Sequence, residues 1–197
     1  VTSSSASPIA PSGLRRAVVA LAALVLLTGA GPTAAAPGDL DPSFDTDGKA
    51  LGTVVGGTAG AGLLEQPDGK IVVIGRADFG NPVGGVARLV ADGTPDASFG
   101  DGGHTVVDYG TGNTALVGGA LQADGKIVVV GSTFEPGSTN TDWLIARLEA
   151  DGDLDPSFGS GGMVRQPMPG CCAVALDAAV QPGGGILVVG SEGSHIA

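Results

Sequence analysis

The sequence predicts an all-β protein built from tandem four-stranded antiparallel repeats. Three observations lead there. The 197 residues include 36 Gly and 13 Pro, a level that penalises helix in almost any window. The chain is nevertheless 43% hydrophobic with a mean hydropathy of +0.32, too apolar for a solvated coil. Short motifs that join a turn to a run of β-forming residues also return at a regular spacing. Aromatic content is only 4% with a single Trp, so Val, Leu, Ile and Ala are expected to make the core.

The first segment reads as an export signal over residues 1–35, ahead of a β-repeat domain over 36–197. Arg15 and Arg16 precede a 14-residue apolar run, Ala17 to Ala30, and small residues follow through Thr33-Ala34-Ala35-Ala36. A basic start, a short apolar stretch and a small-residue exit form the layout of a secretory signal. The run falls short of the roughly 20 residues that cross a bilayer, so no stable membrane span is expected after cleavage. Cleavage after Ala35 is favoured because Pro37 would directly follow a cut one residue later. The Arg pair also fits a twin-arginine signal, but nothing else supports that route over general secretion. The expected location is secreted or cell surface. The chain opens on Val1, not Met, consistent with an alternative start codon or a trimmed record.

The whole chain carries a net charge of −11, and without the two signal arginines it carries −13. Such acidity repels phosphate backbones and excludes nucleic acid as a partner. The acids are spread along the chain, as on a well-solvated exported surface.

Self-comparison aligns three segments. Asp39-Leu-Asp-Pro-Ser-Phe44 recurs as Thr94-Pro-Asp-Ala-Ser-Phe99 and Asp153-Leu-Asp-Pro-Ser-Phe158. Gln66-Pro-Asp-Gly-Lys-Ile-Val-Val-Ile-Gly75 recurs as Gln122-Ala-Asp-Gly-Lys-Ile-Val-Val-Val-Gly131 and Gln181-Pro-Gly-Gly-Gly-Ile-Leu-Val-Val-Gly190. Ala87-Arg-Leu-Val-Ala-Asp-Gly93 recurs once, as Ala146-Arg-Leu-Glu-Ala-Asp-Gly152. The repeats run over about 39–93, 94–152 and an incomplete 153–197, and successive Phe residues stand 55 and 59 apart.

Each repeat reads as four strands. In the first, Lys49 to Val55 is a strand candidate. Leu63 to Gln66 and Lys70 to Gly75 flank the Pro67-Asp68-Gly69 turn, in which Pro presets φ and Gly accepts a positive φ. Ile71 to Ile74 is an apolar run short enough for a strand buried on both faces. Val86 to Val90 is the fourth strand. The Asp-Pro-Ser-Phe element is a turn, and Phe44, Phe99 and Phe158 are read as anchors between successive repeats.

A four-stranded unit of this length stands beside propeller blades of roughly 40 to 50 residues. The combined pattern L-D-x-S-F-G-x-G-G, Q-x-D-G-K-I-V-V-x-G and A-R-L-x-x-D-G resembles the delta-60 repeat of secreted bacterial proteins, over about residues 39 to 197. Asp45-Thr-Asp-Gly48 departs from the F-G-x-G-G form, and Gly183 replaces the turn Asp in the third copy. The resemblance implies a β-propeller-like repeat in an exported protein, with no catalytic activity common to the family.

Propellers close with about four to eight blades, so fewer than three blades leave a partial array. The third repeat stops before any counterpart of Ala87-Arg-Leu. The expectation is the N-terminal part of a longer protein, with assembly of copies or poor folding alone as the other readings. Open strand edges invite self-association. A β-trefoil is the architectural alternative.

Residues present in every copy are expected to be scaffold, Asp68 and Asp124 among them. Asp151-Gly-Asp153-Leu-Asp155 has the alternating acids of a calcium hand, but Pro156 and Gly162 stand where Gly and Glu are needed; a looser surface calcium site stays open. Cys171 and Cys172, the only cysteines, belong to the third repeat alone. A vicinal disulfide, intermolecular bonds and free thiols all stay open, and the pair is read as incidental. His104 falls at a position that tolerates any residue, which points to exposure, and His195 lies in the unfinished tail. Neither has a nucleophile motif nearby. The literal dinucleotide fingerprint at Gly110 to Ala115 opens no helix and is discarded.

Trp143, Asp142 and Asn140 are the binding candidates, beside Glu135 in a loop that is longer in the second repeat. Exposed, they would suit a sugar or protein contact; the alternative is Trp143 packed at a strand start. No catalytic residue, cofactor or metal is expected. The function expected is an exported, non-catalytic module acting as a structural or interaction scaffold for a protein or glycan. The alternative is the front of a secreted hydrolase or lyase with catalytic residues outside this chain.

Overall fold

Each sheet grows from one hairpin. At Pro67-Asp68-Gly69 the Asp68 carboxylate accepts the Lys70 N–H at 3.2 Å and the Gly69 N–H closes on the Gln66 carbonyl at 2.9 Å. Gly69 sits at φ 81°, which a residue without Cβ adopts freely. The same carboxylate bond recurs from Lys126 N–H to Asp124 at 3.2 Å. In the third copy Gly183 replaces the Asp, yet the Gly184 N–H still reaches the Gln181 carbonyl at 2.8 Å.

A computed structural model describes residues 36, 38–50, 59–78, 82–110, 113–134, 137, 140–169, 171–193 and 195–196. The signal region 1–35 lies outside them, as does most of the strand candidate Lys49 to Val55. The described strands form three antiparallel sheets. The first has the order β1 (Ala59–Glu65), β2 (Ile71–Asp78), β3 (Pro82–Leu89), β4 (His104–Val107). The second has the order β5 (Thr114–Leu121), β6 (Ile127–Phe134), β7 (Thr141–Leu148), β8 (Met163–Gln166). The third comprises β9 (Val174–Val180), β10 (Ile186–Glu192) and the two-residue β11 (His195–Ile196), with β10 central. Every strand pairs with its neighbour in sequence. Pairing between sheets, which a β-trefoil barrel requires, does not occur among the described residues. The architecture is all-β, a β-propeller-like partial array.

The sheets and the sequence repeats are out of step by one strand. β4 follows the second Asp-x-Ser-Phe turn, and so opens the second sequence repeat, yet it pairs with β3 of the first sheet, Val86 opposite Thr105. β8 does the same for the second sheet. The sequence pattern begins at a turn, whereas the sheet begins at the bulged strand after it.

That inner strand carries a bulge in each sheet, between Gly60 and Gly62, Leu116 and Gly118, and opposite Val189 and Gly190. The bulge drives a carbonyl towards the partner strand. A Cβ at Gly75, Gly131 or Gly190 would collide with the Ala59, Ala115 or Val174 carbonyl respectively, which explains the glycine ending each apolar run.

The core lies between sheets. Alternation along each strand gives every sheet a forward face and a rear face. Val72, Ile74 and Val86 on the forward face of the first sheet pack with Leu116, Ile127, Val129, Leu144, Ala146 and Leu148 on the rear of the second. Val128, Val130, Trp143 and Ile145 on the forward face of the second pack with Ala175, Ala178, Ile186 and Val188 of the third. Phe99 is fully buried at the first junction and Phe158 is partly buried at the second, in the anchoring role their recurrence implies.

Candidate interaction site

The binding residues expected from sequence do not form an exposed patch. β7 places Trp143 on the forward face of the second sheet, where it is 9% exposed and its Nε1–H donates to the Ser191 carbonyl at 3.1 Å. Gly190 leaves the room the indole uses: a Cβ there would stand 2.8 Å from the ring. One residue earlier the strand turns Asp142 to the other face. Its carboxylate, 4% exposed, accepts the Met168 N–H at 3.0 Å and faces Arg165 Nε at 3.4 Å. Asn140 is half-buried just before the strand, and Glu135 lies outside the described residues. The packing alternative for Trp143 therefore replaces the surface contact. Once β7 is the third strand of a sheet covered on both sides, its length of loop cannot lift the ring into solvent.

A charged cluster occurs twice, and its members were all visible as repeated residues without being joined. Asp96 receives Arg88 Nε at 2.8 Å and Lys70 Nζ at 3.0 Å, with the Ser98 hydroxyl at 2.6 Å. Arg88 continues to the Ala150 carbonyl at 2.7 Å and lies 4.6 Å from the Phe99 ring centre. In the second sheet Asp155 receives Arg147 Nε at 2.7 Å and Lys126 Nζ at 3.0 Å, with the Ser157 hydroxyl at 2.6 Å. Lys126 also pairs with Glu149, and Arg147 lies 4.6 Å from the Phe158 ring centre. The signal in the sequence was co-recurrence: Lys of D-G-K, Arg of A-R-L and Asp of D-x-S-F return together.

The chemistry of these clusters is structural. The Ser98 hydroxyl is the largest cause holding the Asp96 carboxyl well below the ordinary aspartate range. Burial opposes it, and Lys70, the Ser98 N–H and Arg88 add to the lowering. Ser157, Lys126 and Arg147 do the same at Asp155 against the same opposition. A carboxylate pinned in its ionised form by saturated donors is a poor proton acceptor.

Elsewhere, His104 is half-buried on β4. Cys171 and Cys172 are free and exposed, and the hydrogen bond to Cys171 pushes the Cys172 thiol up, away from the reactive thiolate. Among the described residues no group of three or more His, Cys, Asp or Glu is placed to hold a metal ion. Two grooves remain. One, of about 580 Å³, lies between the turns Gln122–Asp124 and Gln181–Gly184. The other, of about 640 Å³, covers the rear face of the first sheet and is lined by Phe44, Gly60, Leu63, Ile71, Val73 and Leu89 among others.

Fold and clusters together define a β-propeller-like repeat domain whose repeated polar residues serve the framework. A family model described as "Domain of unknown function (DUF5122) beta-propeller" matches residues 66–99 and 122–158. Each match runs from the hairpin glutamine to the phenylalanine of the following turn, so it takes in one complete charged cluster. No curated protein matches the chain.

Proposed function

We propose that this chain is an exported, non-catalytic repeat module that acts as a structural or interaction scaffold for a protein or glycan partner. The observation that carries the reading is the state of the repeated polar residues. Asp96, Asp155, Asp68 and Asp124 all bond neighbours inside the framework, which leaves the surface to present contacts rather than perform chemistry. The basic and apolar start of the chain and the resemblance to the delta-60 repeat support export; the acidic surface suits an extracellular setting.

Fractionation with N-terminal sequencing tests the first half. The expected product is a chain beginning at Ala36 outside the cytoplasm, and an intact N-terminus retained in the cytosol would overturn export. A panel of glycosidase, esterase and lyase substrates tests the second half. Turnover that a point substitution in this chain abolishes would replace the scaffold reading with an enzymatic one.

A further inference from the structure

Both junctions inside the chain are built by one rule, and the same rule leaves two matching halves unused. On a forward face, the second and fourth residues of the apolar run go into the neighbour: Val72 and Ile74, then Val128 and Val130, all fully buried. Their counterparts on the third sheet, Leu187 and Val189, are 54% and 48% exposed, beside Leu176 at 45%. On a rear face, the first and third residues of the run receive the neighbour: Ile127 and Val129, then Ile186 and Val188. Their counterparts on the first sheet, Ile71 and Val73, line the open groove next to Leu63, which is 70% exposed. Contiguous exposed apolar residues of this kind mark contact surfaces.

A second observation fixes the geometry of that groove. At the first junction the turn after Asp96 reaches across to the second sheet, where the Gly100 N–H donates to the Asp151 carbonyl at 2.7 Å and Phe99 lies against Gly152. The first sheet is gripped in the same way by residues 38–50. The Asp45 N–H donates to the Asp92 carbonyl at 2.7 Å, and Phe44 lies against Gly93. The rear of the first sheet thus already holds the outer part of a junction. The groove is the space in which forward-face side chains would stand.

We infer that a second copy of this chain docks head to tail, the forward face of its third sheet entering the rear groove of the first sheet. Two copies supply six sheets, inside the range of roughly four to eight at which propellers close, and three copies overshoot it. The product is a closed dimer with two identical junctions of heterologous type. Gly185 stands where Lys70 and Lys126 complete the charged clusters, so this junction rests on apolar contact and is weaker than the internal ones. Self-association through sheet faces, not strand edges, follows. It does not depend on what the module binds or whether it is exported.

Sedimentation velocity of the purified chain over a concentration series tests this, using Leu187→Lys for the forward face and Leu63→Glu for the rear. Both positions are exposed, and circular dichroism checks that each variant is folded; Val189→Lys replaces Leu187→Lys if that variant is not. The wild type is expected to dimerise in the micromolar range, with little effect of salt. Each variant alone is expected to weaken the dimer by at least about tenfold. A 1:1 mixture is expected to regain a dimer, because one variant keeps a sound rear face and the other a sound forward face. A wild type that stays monomeric throughout overturns the inference, whatever else covers the faces. So does a dimer that only one variant disrupts, or a mixture that fails to recover, since both indicate a different pairing.

Discussion

The second sheet and the third start from nearly the same apolar run and end in different environments. In the second, Ile127, Val128, Val129 and Val130 are all fully buried. In the third, Ile186 and Val188 are half-buried while Leu187 and Val189 are exposed. A continuous apolar run is therefore a statement about what a strand can tolerate on both faces, and neighbours decide whether both are used. The two sides of the second sheet are also filled in opposite senses. At the first junction Leu116 of the rear face projects to where a Gly84 Cβ would be, 2.8 Å away. At the second, the large residue is Trp143 at the register of Gly84, and the small one is Ala175 at the register of Leu116. One repeat thus packs large into small from either side.

The sharpest way to break that comparison is to exchange the filling of the second junction. Trp143→Ala is expected to cost about 4 kcal/mol and Ala175→Leu about 2 kcal/mol from overpacking. The double variant, which imitates the first junction, should recover at least about 1 kcal/mol relative to the sum. Urea unfolding of the four proteins measures this, and strict additivity would mean that the two residues do not share a site.

Three isoleucines at one register grade the contrast between sheets. Ile127→Ala removes a fully buried side chain and is expected to cost about 4 kcal/mol. Ile186→Ala, covered on its rear face by the second sheet, should cost about 2 kcal/mol, and Ile71→Ala on the open groove about 1 kcal/mol or less. Equal losses in urea unfolding would show that burial in the second sheet confers nothing beyond the local run.

Much of this framework was legible because turns and apolar runs are local. Asp68, Gly69 and Ile71 to Ile74 specify a hairpin wherever they stand, and three copies gave the architecture. The step of one strand between repeat and sheet was not legible. β4 pairs with β3 through a ladder set by chain reversal at Asp96 to Gly103, and no residue in that stretch names its partner strand. The charged clusters were half-visible, since Lys70, Arg88 and Asp96 recur as a set but meet only when β2, β3 and the turn come together. Trp143 misled for a related reason. A lone aromatic beside Asp142 and a long loop resembles a surface contact until the third sheet, placed by its own hairpin, covers it.

The charged clusters distinguish the closed junctions from the open groove in a pH titration. Asp96 and Asp155 are held below the ordinary aspartate value of 3.8. A carboxylate with a lowered folded pKa stabilises the fold fully above the unfolded value, and that contribution fades as pH falls through the lower folded one. Thermal melts between about pH 7 and pH 2 should therefore show stability falling in acid. Asp96→Asn and Asp155→Asn should melt lower at neutral pH and lose less on acidification. Asp41, the counterpart beside the open groove, is lowered only by hydrogen bonds from Ser43, and Asp41→Asn should keep most of the wild-type acid response. An unchanged profile in all three variants would remove the clusters from the account of how the sheets are held.

The smallest expected effect lies at the entrance to the third sheet. Cys172 takes φ 69°, a left-handed conformation that costs an ordinary L-residue roughly 1 kcal/mol. The second repeat has Asn113 at the aligned position, and Asn tolerates that region better than most side chains. The thiol is exposed and free, so replacing it removes no packing and breaks no cross-link. Cys172→Asn should then raise stability by about 0.5 kcal/mol, while Cys171→Ser changes it within measurement error. Both thiols of the wild type should react with a disulfide reagent under native conditions. A loss of stability in Cys172→Asn, or a thiol that reacts only after unfolding, would show that the pair supports the third sheet in a way its exposure conceals.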